Sequence, residues 1–200
     1  GRALGELAAL CGGHGRFGGG VVESSGVWFE SGAGACGQRL EREPAKMQEA
    51  LAAHDRVART SVEAHDGRVL KMTGDGMCAV FADPLDAVCA AVALQVAFAD
   101  ANATNGIALR VRCGLHAGVD TRRDNDFFGN AVNRAARVMT AAHGGQILVS
   151  QAVAALVADR LPKDIALLDL GQVRLRGLAQ PEQVCQVVHP SLQQQFPALR

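Results

Sequence analysis

Asp75 stands between two glycines, in Gly74-Asp75-Gly76, with Lys71 four residues before it. Two apolar, β-prone runs over 69–73 and 77–81 flank that turn. The stretch therefore reads as a hairpin with the carboxylate projecting from its tip. Such a carboxylate suits a hard cation such as Mg2+, which takes oxygen ligands from few protein groups and from phosphates. An acid in a glycine-rich turn also serves simply to form the turn. Further along, Asn133 and Arg137 are four residues apart and would share one face of a helix. Arg grips phosphate oxygens with a fork of donors and Asn orients a hydroxyl, so the pair suits a polyanionic, ribose-bearing ligand. The same pair is also at home on a solvated helix face.

These side chains need elements to hold them. Pro44 fits the first turn of a helix, and Met47, Leu51, His54, Ala58 and Val62 recur at helical spacing up to the turn pair Asp66-Gly67. After the hairpin, Asp83-Pro84 opens a second helix over 84–101, apolar on most faces and so buried, followed by a loop over 102–106. A strand is expected over 107–118, where Leu109, Val111, Cys113 and Leu115 alternate with Arg110, Arg112, Gly114 and His116. A polar loop over 120–126 leads to a third helix, 129–142, stopped by Gly144-Gly145. A strand over 146–150 follows, with Ser150 capping a fourth helix over 151–161, then strands over 165–170, 172–175 and 183–189. Mixed elements around a local hairpin predict an α+β fold, a mixed or antiparallel sheet with helices packed on it. His116 is expected to be a packing histidine within its strand.

Residues 1–37 differ from the rest. They hold 12 of the 23 glycines, and no aspartate precedes Asp55. Only Val27-Trp28-Phe29 offers a short β-prone run there. The expected organisation is an atypical glycine-rich segment over 1–37, one domain over 38–190 and a linker over 191–200.

A chain of 200 residues with 48% apolar and 20% charged content makes a core and argues against disorder. A formal net charge of zero gives no reason to expect a nucleic-acid or anionic-membrane partner. The six cysteines are scattered without a Cys-x-x-Cys pair and several sit in apolar runs, so all are expected as buried thiols in a reducing, cytoplasmic setting. No apolar run reaches the length of a membrane span, and no secretory signal is evident.

Three stretches together carry a resemblance. Lys71-x-x-Gly-Asp75-Gly, Arg112-x-Gly-Leu-His-x-Gly118 and Asp126-Phe-Phe-Gly-x-x-Val-Asn133-x-Ala-x-Arg137 resemble, in order and spacing, the class III nucleotidyl cyclases. The tail Leu170-Gly171 to Leu175-Arg176-Gly177-Leu178 looks like the end of the same family, and the likeness covers about 38–190. It implies a homodimer of ferredoxin-like domains that converts ATP or GTP to the 3′,5′-cyclic monophosphate and pyrophosphate in the clefts between protomers. It also implies two ions, Mg2+ or Mn2+, held by two aspartates about 3.5–4 Å apart in a two-metal clamp.

On that resemblance Asp75 is the second metal aspartate, and Lys71 with Asp126 matches the purine-selecting pair of the adenylyl enzymes. Asn133 orients the ribose, Arg137 stabilises charge on the phosphoryl group, and Arg112 and Arg176 contact the triphosphate. Lys71 only donates, so it offers no acceptor to guanine's N–H groups, and the substrate implied is ATP.

One motif is missing. The family's first strand normally carries Phe-x-Asp-Ile-x-Gly with the first metal aspartate, and counting back from 40–44 places that residue at about Gly32. Glu30, two residues earlier, would share its strand face. The absence admits three explanations: a degenerate domain serving as a dimerisation or regulatory module, a weak enzyme with altered metal ligation, or a first segment that is not the family's natural one. Other classes fit less well. The Gly-Gly-Asp-Glu-Phe turn of diguanylate cyclases and the P-loop are absent, and Cys11-x-x-His14 lacks a second pair for zinc.

Overall fold

The computed structural model describes residues 24–33, 44–72, 76–100, 110–123, 126–128 and 130–200. Its strands are β1 (Ser24–Ala33), β2 (Arg68–Met72), β3 (Gly76–Phe81), β4 (Val111–Arg123), β5 (Asp126–Phe128), β6 (Ile147–Ser150), β7 (Ala166–Val173) and β8 (Glu182–Val188). Its helices are α1 (Pro44–Glu63), α2 (Pro84–Ala99), α3 (Asn130–Ala141) and α4 (Gln151–Val157). The strands form one sheet in the order β2-β3-β1-β4-β6-β8-β7, with β5 pairing β4 off that path. Among the described residues only β4 and β6 run parallel; the other strand pairs are antiparallel. The expected α+β architecture is what the chain adopts.

Period-two alternation splits each central strand between two helical layers. Met77, Ala79 and Phe81 of β3 and Val111, Cys113 and Leu115 of β4 pack with α1, α2 and α4 in the main core. Cys78 and Val80 face the other way, against Ala131 and Ala135 of α3. Helix α2 is fully buried from Ala87 to Leu94, as its all-round apolar sequence requires. It starts where expected because Asp83 accepts a hydrogen bond from the Leu85 amide at 2.9 Å and Pro84 sits in the first turn. The Asp83 carboxylate is also gripped by both terminal nitrogens of Arg160, just past α4.

Several boundaries move. Residues 120–123 continue β4 rather than forming a loop, and they pair with β5, with Thr121 opposite Phe128 and Arg123 opposite Asp126. Helix α4 ends at Val157 rather than 161, giving way to a turn before Pro162. The strands expected over 165–170 and 172–175 are one strand, β7, with an irregularity between Asp169 and Gln172. Ser150 stands at the N-cap of α4 but makes no capping bond. Its hydroxyl is instead 2.8 Å from Nδ1 of His116, which is buried in β4 as expected of a packing histidine. The 102–106 loop lies outside the described residues. Cys78, Cys113 and Cys185 are buried thiols outside any disulfide, as expected, whereas Cys89, also buried, is disulfide-bonded.

The largest addition is β1, which sits between β3 and β4 inside the sheet. At the other end of the chain, 189–200 runs back across the domain. Gln186 donates to the Gln194 carbonyl at 2.7 Å, the ring of Phe196 stacks on His143, and the Arg200 amide donates to the Ala141 carbonyl at 3.2 Å. Among the described residues no helix is long and apolar enough to cross a membrane.

Candidate active site

Helix α3 lies directly on β4, and two glycines make that approach possible. A Cβ at Gly114 would fall 2.2 Å from the Met139 backbone nitrogen, and one at Gly118 would fall 2.7 Å from Cβ of Ala131. Eight residues of helix and four of strand each span roughly 12–13 Å, so the two elements run antiparallel in step. The glycines of Arg112-x-Gly-Leu-His-x-Gly118 are thus the bed of α3. Ala131, Ala135, Val138 and Ala141 face that bed, which leaves Asn133 and Arg137 exposed on the far side. The shared face expected of this pair is present.

The helix is also tied to the far half of the sheet. Arg134 donates to Glu182 at the start of β8 at 2.6 Å. Leu175, 2% exposed, packs with Val138 and Ala141, and the turn after it closes through a Leu178 amide to Leu175 carbonyl bond of 3.1 Å. That turn carries Arg176, which is exposed, and Gly177. The guanidinium of Arg137 lies over Gly177: a Cβ there would be 3.6 Å from Nε and 3.7 Å from Cζ. Arg137 and the segment bearing Arg176 are therefore neighbours although 39 residues separate them in sequence (176 minus 137). Arg134, Glu182 and Gly177 have no role in the sequence reading, because partners 40 or more residues away leave no local signal.

The other half of the arrangement is set by register. Gly32 of β1 is opposite Gly76 of β3 on one side and Arg112 of β4 on the other. Arg112 thus stands one strand away from the hairpin that carries Asp75. Asp75 itself lies outside the described residues. Arg112 is half-buried, and its Nε is buried without a hydrogen-bond partner among the described residues. A buried guanidinium N–H in this state is costly to the fold and suited to an incoming anionic oxygen. Lys71 is exposed on β2, the edge strand, opposite Cys78. Asp126 begins β5; β3, β1 and β4 lie between the strands that bear the two residues.

A two-aspartate metal clamp does not fit β1. The row between Gly76 and Arg112 is occupied by Gly32, the next by Ser31, and Glu30 falls a row further in, between Cys78 and Gly114. Among the described residues no group of three His, Cys, Asp or Glu is placed to hold a metal ion.

The family model for the adenylate and guanylate cyclase catalytic domain matches residues 23–189. The chain is a class III cyclase domain. The match includes β1, so this interior strand of the sheet lies within the family's bounds. An uncharacterised protein of Mycobacterium tuberculosis is 39% identical over 159 residues, covering 78% of this cyclase domain and 53% of that protein. The putative adenylate cyclase 3 of Rhizobium meliloti is 36% identical over 119 residues, covering 58% of this chain and 20% of that protein. The chain spans about half the length of its first curated relatives. Among solved structures, an adenylate cyclase of Trypanosoma brucei in its monomeric state superposes with a TM-score of 0.79 at 25% identity, over 88% of this chain and 93% of that one. The guanylyl cyclase Cya2 superposes at 0.71 with 18% identity, over 90% and 98%, a likeness of fold alone.

Proposed function

We propose that this domain is an adenylate cyclase, converting ATP to 3′,5′-cyclic AMP and pyrophosphate at the interface of a homodimer. The observation that carries the reading is the constellation on α3: Asn133 and Arg137 exposed on one face, with Arg137 seated against the turn that bears Arg176. Asn133 orients the ribose so that its 3′-hydroxyl can attack the α-phosphorus. Arg137 neutralises charge that grows on the phosphoryl oxygens, a role worth several kcal/mol when the donor is preorganised, about 3–4 for one such group. Arg112 and Arg176 hold the triphosphate, Arg112 through a buried N–H that has no partner among the described residues. Lys71 donates to an acceptor nitrogen of adenine, and Asp126 accepts from the exocyclic amine. A divalent cation, Mg2+ or Mn2+, accompanies the nucleotide, with Asp75 as its protein ligand. Because β1 lacks the partner aspartate, no step is assigned to a pair of ions.

That same gap favours a second reading, a degenerate domain that dimerises and binds nucleotide as a regulatory module. One assay separates the two. Purified protein is incubated with ATP and Mn2+ and cyclic AMP is measured. The enzyme reading expects product that disappears in Asp75→Ala and falls by about a hundredfold or more in Arg137→Ala. No product from a chain that still dimerises leaves the regulatory module.

A further inference from the structure

The turn Leu175–Leu178 does more than carry Arg176. Gly177 has a φ of +82°, in the region where L side chains are strained, and the Arg137 guanidinium lies 3.6–3.7 Å from where its Cβ would stand. Three fixed points hold this geometry. Leu175 is buried beside Val138 and Ala141 of α3, the turn is closed by its own backbone bond, and Arg134 ties the preceding turn of α3 to Glu182. An arginine side chain projecting from a helix into water has many rotamers. One lying against a rigid glycine turn has far fewer.

We infer that Gly177 is a positioning residue, the backstop that holds the Arg137 guanidinium where the phosphoryl group is to be met. The inference rests on the reading of Arg137 given above. Ordering one flexible cation in advance lowers the cost of organising it in the transition state, so the effect falls on kcat rather than on KM. Gly171 is a natural control. It too has a positive φ, +77°, but a Cβ there meets nothing within 4 Å. Backbone strain is thus common to both glycines, and a guanidinium beside the missing Cβ is specific to Gly177.

The test uses Gly177→Asn, because Asn tolerates positive φ better than other side chains while placing a branched group against the guanidinium. Expected are a kcat lowered by about tenfold and a KM for ATP within about twofold of the unsubstituted chain. In an Arg137→Ala background the same change should alter turnover by less than about twofold, since the group it displaces is gone. A full, additive loss in that background would overturn the inference.

A second arm does not depend on turnover. The NMR signal of the Arg137 Nε–H, identified by its loss in Arg137→Lys, should shift in Gly177→Asn and stay in place in Gly171→Asn. A signal unmoved by Gly177→Asn, or moved as far by Gly171→Asn, would overturn it. If the chain makes no cyclic AMP, the adenylate cyclase reading fails, and the NMR arm still decides the contact.

Discussion

Lys71 can donate a hydrogen bond but cannot accept one, and in a purine pocket that difference selects the base. In the proposed pocket Asp126 is its acceptor partner, so the two residues would present one donor and one acceptor to adenine's edge. Guanine presents the reverse pattern, so exchanging the polarity should exchange the substrate. Lys71→Glu combined with Asp126→Ser is expected to raise the ratio of cyclic GMP to cyclic AMP formed by about tenfold or more. Turnover of both nucleotides measured side by side would check it, and an unchanged preference for ATP would remove these residues from the pocket. At the same scale, Gly114 contributes by having no side chain. In Gly114→Ala the new methyl group would meet the backbone of Met139, which cannot rotate away as a side chain tip can. Overpacking of this kind costs about 1–3 kcal/mol, so the melting temperature should drop by roughly 3–10 °C.

Helix α3 is the element on which the site depends, and its seat was only partly legible in the sequence. Its extent and its exposed Asn133–Arg137 face follow from local periodicity, and Gly144-Gly145 marks its end. Its attachment does not follow, because Glu182 and the 175–178 turn reach it only through the folded sheet. The Arg134–Glu182 pair is half-exposed on the Arg side, so its worth to global stability is about 0.5–1 kcal/mol at most. The β4–β5 arm was read as a loop for a different reason. Asp120 to Asp126 is polar throughout, so it lacks the apolar alternation that announces a strand. Pairing of 121–123 with β5 makes it extended. The β2–β3 hairpin and the start of α2 were legible because glycine turns and an Asp-Pro cap act within a few residues.

Across the whole molecule, β1 is the element that sequence patterning missed most and the fold uses most. It is rich in glycine and serine, with one short apolar run, yet it pairs with β4 along its length and with β3 from Val27 to Gly32. A middle strand is specified by its neighbours, so its own pattern can be weak. Charge burial is also settled at this scale. Asp86, in the first turn of α2, is 8% exposed, and burial, with Asp83 and Asp66 nearby, pushes its carboxyl up to about 6. An ordinary unfolded carboxyl titrates near 3.9, so the folded state holds this proton more tightly and ionisation works against folding. The penalty grows as pH rises above about 4 and is complete somewhat above 6. Asp86→Asn should therefore stabilise the domain by about 1–3 kcal/mol at pH 7.5 and give no gain at pH 4. Melting curves at the two pH values would check this, and an equal gain at both would point to packing rather than charge.

The run from His189 to Arg200 has a mechanical consequence. Its final amide grips the carbonyl of Ala141, one helical turn beyond Arg137, and Leu199 sits in the same apolar cluster as Val138. Tension applied along this segment would load the last turn of α3 before any strand of the sheet. The helix bearing Asn133 and Arg137 is in this sense a lever with its handle at residue 200.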